Sequence, residues 1–281
     1  MLDIVLDTCM DAIKILPFLF LTFLLVEYLE HKIKNKNQDW IQKAGKFGPI
    51  IGSSLGIAPQ CGFSIVATNL YITRIVSLGT LIAIYLSTSD EMLPILLAQK
   101  TDFKIIIAIL FFKWMIGICI GMGIDFCLRK RKREEVQYAL CEHDHCHCES
   151  ESVLLSSWKH TMSTFFYLGI ITFIVNVLFT YYGEEIFEKL FLKGSIFSPF
   201  LSSLLGLIPS CGASIMLTEL YLEGAITFSS CIAGLLTGSG TAFLVLFKNN
   251  KNIKENIFIL AIVYGAGAGI GFILEILLTL L

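Results

Sequence analysis

Apolar runs separated by short polar stretches organise the chain from end to end. Runs long enough to cross a hydrocarbon core of about 30 Å occur at residues 9–29, 75–98, 105–127, 158–181, 225–247 and 257–280. Two further runs, 47–72 and 196–222, are interrupted in their middles. The first interruption reads "GIAPQCGFS" at 56–64 and the second "GLIPSCGAS" at 206–214. A helix that breaks inside lipid strands backbone donors and acceptors, so such breaks persist only where protein or a wet cavity surrounds them. The pattern predicts an all-α polytopic membrane protein with two deliberately broken segments.

Composition agrees. Of 281 residues 55% are apolar and 16% charged, with mean hydropathy +0.75, too little charge to cover a soluble domain of this size. The net charge of −2 offers no basic field, and no nucleic-acid partner is expected. Asp3, Asp7 and Asp11 lead into the first apolar run, so no basic-headed signal peptide is expected. Nine cysteines are scattered through spans and one loop, unlike a secreted disulfide framework.

The chain is a duplication. At an offset of 150, residues 49–125 match 199–275 at 24 of 77 positions without a gap. Pro49/Pro199, Gly56/Gly206, Pro59/Pro209, Cys61/Cys211, Gly62/Gly212, Ser64/Ser214, Tyr71/Tyr221, Ser89/Ser239, Gly117/Gly267 and Gly121/Gly271 coincide, and Asp125 falls on Glu275. Chance matching of apolar segments enriches Leu and Ile pairs, not proline, cysteine, glycine and an acid in register. The expected organisation is a first repeat over 1–128, a linker over 129–156 and a second repeat over 157–281. Repeats of this kind point to transporters.

Loop charges choose between parallel and inverted repeats. Each arm flanking a break has roughly a dozen residues, or about 18 Å of helix, too short to span. If each broken segment is a re-entrant hairpin, each repeat crosses three times and the second copy is inverted. With both termini outside, His31, Lys32, Lys34, Lys36, Lys43, Lys46, Arg74, the cluster Arg129 to Arg133, Lys248, Lys251 and Lys254 are all cytoplasmic. Glu184, Glu185, Glu188 and Glu223 then fall outside. Fully spanning segments would put the basic cluster outside, against the positive-inside rule. The expected architecture is therefore an inverted-topology repeat, three spans plus a re-entrant hairpin per half and ten membrane segments in all.

Two hairpin tips then meet near the midplane, and each following span carries its own break: "YLSTSDEMLP" at 85–94 and "LLTGSGTAFL" at 235–244. Loosened helices expose carbonyls and hydroxyls, the construction of a transporter ion site. The candidate substrate site comprises Asp90 and Glu91, whose charges are costly in mid-span, with Ser87, Thr88 and Ser89. Gln60, Cys61, Ser210 and Cys211 join them from the hairpin tips, and Thr237 and Ser239 from the second break. Asn69 and Glu219 lie about 12 Å beyond the tip cysteines; Glu219 reads equally as a gate or proton-path carboxylate and as a solvated residue. Asp125 and Glu275, near span ends, are open to snorkelling, structural pairing or function. Lys113 is a candidate to neutralise Asp90 or Asp125, which would be a purely structural ion pair. Gly117, Gly121, Gly265, Gly267, Gly269 and Gly271 are expected to serve close helix packing.

The linker reads "CEHDHCHCES" at 141–150. Cys141, His143, His145, Cys146, His147 and Cys148 place thiolates and imidazoles at spacings suited to zinc, copper or nickel. A metal-capturing cytoplasmic loop is expected, with flexible linker as the plain alternative.

The paired "APQCGFS…NLY" and "IPSCGAS…ELYLEG", the "STSDE" break, "LEHK" after the first span and the His/Cys linker resemble a bacterial family described as ten-transmembrane heavy-metal exporters, also as manganese transporters or arsenic efflux proteins. The resemblance covers essentially the whole chain. It implies metal efflux across the bacterial cytoplasmic membrane, with a metal ion as cargo and no required cofactor; homo-oligomerisation is left open. Asp90, Glu91, hydroxyls and carbonyls form a hard oxygen set suited to Mn²⁺. Cys61 and Cys211 offer a soft alternative for arsenite or thiophilic metals, or pack as small apolar residues. No Gly-rich Lys-Ser/Thr nucleotide loop occurs, so transport is expected to be secondary, by proton exchange, with Asp90, Glu91 or Glu219 as carriers. An intramembrane enzyme using Cys61 or Ser64 lacks a base in the same motif, His160 lying at a span end, and leaves the duplication unexplained. A metal sensor explains the linker but not the paired breaks.

Overall fold

The structure is a computed structural model that describes residues 16, 17, 20, 21, 24, 47–57, 62–89, 92–128, 157–159, 161–167, 169, 170, 173, 174, 177, 197–222 and 224–280, without the side chains of Pro94 and Cys211. All regular structure among these residues is helical. Ten helices have defined bounds: α1 Gly48–Gly56, α2 Gly62–Ile72, α3 Leu78–Ser87, α4 Met92–Ala98, α5 Phe103–Leu128, α6 Ser198–Gly206, α7 Cys211–Leu222, α8 Phe228–Thr237, α9 Ala242–Asn249 and α10 Ile253–Leu280. The series α1–α5 recurs as α6–α10 close to the 150-residue offset seen in the sequence. The described residues of the first span and of 157–177 are helical as well.

Local chemistry explains the boundaries. Pro49 and Pro199 sit in the first turns of α1 and α6, where a missing N–H breaks no helical bond. Ser77 and Thr227 cap α3 and α8, accepting the N–H of Thr80 and of Ser230. Each cap is backed by the acid at the far end of the long helix in the same half. Asp125 accepts from the Gly79 N–H at 2.9 Å and from Ser77 Oγ at 2.6 Å. Glu275 accepts from Thr227 Oγ1 at 2.7 Å and from Ser229 Oγ. A carboxylate at a helix N-terminus meets the positive end of the helix dipole. Of the two partners offered for Lys113, Asp125 is thereby corrected, since twelve residues of α5, about 18 Å, separate them and Asp125 binds the α3 cap instead; Asp90 lies outside the described residues.

α3 ends because its side chains compete for its last carbonyls. Ile84 O receives the Thr88 N–H, Thr88 Oγ1 and Ser87 Oγ, the local bonding by which Ser and Thr interrupt helices. α8 ends at Gly238, and Gly240 follows with φ +53, a conformation glycine adopts without strain.

The broken spans form the core. Every residue of α3 from Gly79 to Ser87 is buried, as is every residue of α8 from Ser229 to Thr237. Across Phe228–Asn249, 89% of the most apolar window is buried, against 28% for the long helices α5 and α10. Irregular backbone is thus enclosed by protein, as lipid requires. The long helices carry the apolar exterior, with Phe111, Met115 and Phe126 exposed on α5 and Ile257, Phe258 and Leu277 on α10.

Glycines set how closely the long helices approach that core. A Cβ at Gly117 would lie 2.8 Å from Ala83 O, and one at Gly267 would lie 2.8 Å from Ala233 O. Gly121 and Gly271 are equally confined, against α3 and α8. The packing role expected for Gly265 and Gly269 is corrected: nothing lies within 4 Å of a Cβ at either, because both sit on the outward face of α10.

Across the halves, α3 packs on α8, α2 on α9 and α4 on α7. The Tyr85 ring meets Phe243 edge-on at 5.2 Å.

Candidate transport site

The two broken helices end close together, and a lysine holds both ends. Lys113, on α5 and 1% exposed, donates through Nζ to Thr88 O, the cap of α3. It donates also to Leu235 O in the last turn of α8, at 2.8 Å. Each helix C-terminus presents outward-facing carbonyls equivalent to about half a negative charge. Two such ends make a place that favours a cation, and here the ammonium occupies it. The equivalent position in the second half is Val263, fully buried, so the clamp belongs to the first half alone.

The first break is tightly hydrogen-bonded. Ser64 Oγ and Thr88 Oγ1 bond at 2.9 Å, and Thr68 Oγ1 bonds Tyr85 OH at 2.6 Å while donating to Ser64 O at 2.7 Å. Ser89 Oγ donates to Ile57 O at 2.7 Å, fastening the break to the end of α1. Of the expected oxygen donors, Ser87, Thr88 and Ser89 are therefore buried and engaged, with lone pairs still to give.

The second break differs. Thr237 Oγ1 donates to Ser203 O at 2.8 Å and to Gly234 O at 2.9 Å. Ser239 Oγ and Thr241 Oγ1 are buried without a hydrogen-bond partner, and so are Ser202 Oγ and Ser203 Oγ on neighbouring α6. Orphaned buried hydroxyls cost about 1–3 kcal/mol each, and their concentration beside a helix break suits a group that visits rather than resides. Ser210, also buried, accepts the Gly212 N–H at 3.1 Å and starts α7.

Asn69 is fully buried; its Oδ1 accepts from Asn249 Nδ2 at 3.1 Å, while its own Nδ2 has no partner. Its counterpart Glu219 is exposed on α7. Cys211 is the first residue of α7. Gln60, Cys61, Asp90 and Glu91 lie outside the described residues, as do Cys141, His143, His145, Cys146, His147 and Cys148 of the linker. Among the described residues, no three of His, Cys, Asp and Glu come together as a metal centre. The Lys113 clamp, Thr241 and the Ser202–Ser203 pair escape a reading of the sequence. Only the last two carry a signal, as hydroxyls beside the second break and in α6 packed on α8.

A second polar cluster lies at one end of the fold. Arg74 binds Glu255 through Nη1 at 2.7 Å and Nη2 at 3.1 Å, and Tyr71 OH donates to the same carboxylate. Lys248 donates to Ser163 Oγ at 3.0 Å and Thr164 Oγ1 at 2.9 Å.

Compared with known families, the chain matches one described as "Putative, 10TM heavy-metal exporter" over residues 1–191 and 161–279. The chain belongs to this family of 10TM heavy-metal exporters. It is a multi-pass membrane protein whose family works in the lipid bilayer on a metal substrate, a transporter's task rather than an enzyme's. No curated protein and no solved structure matches the chain.

Proposed function

We propose that this heavy-metal exporter is a secondary-active transporter that carries a divalent cation, manganese first, between its two halves in exchange for protons. The observation that carries the reading is the meeting of the α3 and α8 C-termini at one cation-favouring point, already filled by the Lys113 ammonium. Carbonyls at Thr88 and Leu235, the hydroxyls of Ser87, Thr88, Ser89, Thr237 and Ser239, and the carboxylates of Asp90 and Glu91 make a hard oxygen set. Such sets select Mn²⁺ over soft ions. Gln60 and Ser210 complete it from the hairpin tips, with Asn69 and Glu219 toward its mouths.

An inverted arrangement of re-entrant hairpins supports alternating access. Arg74, where the first hairpin leaves α2, pairs with Glu255, where the second half's broken span gives way to α10. Asp125 at the far end of α5 binds the start of α3, so α3–α4 and α5 run out and back within a half. The mouth of one hairpin therefore sits beside the far end of the other half's broken span, the relation that inversion generates. Lys248 contacts residues 163 and 164 just after the linker, in keeping with a cytoplasmic linker, external termini and a bacterial inner membrane. The His/Cys linker captures metal ahead of export.

The alternative is a soft site for arsenite or a thiophilic metal at Cys61 and Cys211, favoured by the position of Cys211 where the second hairpin arm begins. Cells carrying the protein are expected to hold less manganese and tolerate more of it than cells carrying Asp90→Asn. A gain of arsenite tolerance alone would transfer the reading to the cysteines.

A further inference from the structure

We infer that Asn69, Tyr71 and Arg74 of the first hairpin, with Asn249 and Glu255 of the second half, form a gate across the cargo path that is closed in this structure and latched on one face only. This deepens the alternating-access reading above and rests on it.

The bonds of the cluster cross from one half to the other. Asn249 Nδ2 donates to Asn69 Oδ1 at 3.1 Å, Tyr71 OH donates to Glu255, and Arg74 binds both oxygens of that carboxylate. The second half offers a firm post. At the turn from α9 to α10, Asn250 Nδ2 donates to Asn256 Oδ1 at 2.8 Å and Asn256 Nδ2 to Asn250 O at 2.9 Å.

The cluster stands over the way to the first break. Phe243, Leu246 and Asn249 lie three residues apart on α9 and share a face. Phe243 meets Tyr85 of α3 edge-on, and Leu246, between the ring and the gate, is fully buried. Parting α2 from α9 therefore exposes Leu246 and admits water toward the end of α3.

The opposite face has no such latch. At the 150-residue offset Asn69, Tyr71 and Arg74 become Glu219, Tyr221 and Gly224, while Asn249, Glu255 and Asn256 become Gln99, Ile105 and Ile106. Glu219 and Gln99 are exposed, and Tyr221 lays its ring on Phe228. α7 packs on α4, and among the described residues no side-chain hydrogen bond or ion pair joins them. The latched gate is itself near balance. Asn69 Nδ2 is buried without a partner, and Arg74 holds a left-handed backbone, φ +61. Both costs weigh against closure, so loss of a few bonds shifts the population toward the open gate.

The test is thiol reactivity of purified full-length protein in lipid nanodiscs, where a hydrophilic reagent reaches both faces. In a background whose other reactive cysteines are replaced, the protein carries either Leu246→Cys or its counterpart Leu96→Cys, at a position 1% exposed. Glu255→Ala removes the three bonds made by Tyr71 and Arg74. It is expected to speed the reaction at Leu246→Cys at least about threefold and to leave Leu96→Cys unchanged or slower. Asn249→Ala spares the Arg74–Glu255 pair and is expected to act in the same direction, so it keeps the test decisive if Glu255→Ala does not fold. An unchanged rate at Leu246→Cys in the folded variants, or an equal rise at both cysteines, overturns the inference. The reaction needs no cargo: a wild-type protein that moves no Mn²⁺ overturns the divalent-cation reading and leaves the gate standing.

Discussion

Arg74 and Glu255 are joined by two hydrogen bonds, 2.7 and 3.1 Å long, across 181 residues of sequence. Arg74 makes this pair from a left-handed backbone, φ +61, and the equivalent turn of the second half uses Gly224 at φ +70. A left-handed backbone costs a non-glycine residue roughly 1–2 kcal/mol, whereas a part-exposed ion pair returns about 1 kcal/mol or less. Arg74→Gly is therefore expected to be nearly neutral for thermal stability in detergent. Arg74→Ala keeps the strain, loses the pair, and should be about 1 kcal/mol less stable than the glycine variant.

The same pair makes a topological prediction. In a background lacking other reactive cysteines, Arg74→Cys and Lys251→Cys should react with a membrane-impermeant thiol reagent from one face. Lys100→Cys, in the turn between α4 and α5, should react only from the opposite face. Labelling of all three from one side would remove the inverted arrangement.

Much of this architecture was legible in the residues, and what was not has a physical cause. Spans, breaks and duplication show in sequence because proline, glycine and apolar runs act locally, over one or two turns. The matched pairs Gly117/Gly267 and Gly121/Gly271 proved to be contact points because each faces a core helix. Gly265 and Gly269 share their composition but point outward, and no local pattern distinguishes the two faces of so apolar a helix. The hold of Lys113 on both broken helices was not legible. Two of its partners are backbone carbonyls 25 and 122 residues away, and main-chain acceptors leave no mark on a sequence.

The glycine distinction is measurable. Gly117→Ala and Gly267→Ala each drive a methyl against a backbone carbonyl, so the helices must part at a cost of about 1–3 kcal/mol. Gly265→Ala and Gly269→Ala meet open space and should stabilise the protein by roughly 0.5–1 kcal/mol through helix propensity. Melting temperatures of the four variants in one detergent decide the matter; equal effects at all four would contradict the packing assigned here.

Asp125 and Glu275 are expected to serve stability rather than transport. Asp125→Asn and Glu275→Gln weaken a charged helix cap, a loss of about 1 kcal/mol each, with the transport rate per folded molecule unchanged. Loss of transport from well-folded protein would place these acids on the ion path.

Replacing His143, His145, Cys146, His147 and Cys148 together should reduce metal capture at low concentration and leave transport measurable at high concentration. Complete loss of transport in a correctly inserted variant would make the linker part of the translocation site.

Transport by purified protein in inside-out vesicles with an acidic lumen tests the account most directly. The wild type should accumulate Mn²⁺ in the lumen, and a protonophore should abolish the accumulation. Asp90→Asn, which keeps the volume and removes the charge, should accumulate none. Cys61→Ser and Cys211→Ser should stay near wild type for Mn²⁺, since hydroxyls suit a hard ion, and should fail with arsenite. Mn²⁺ movement that survives Asp90→Asn and vanishes with the cysteine changes would contradict the hard-ion site at the meeting of the two broken helices.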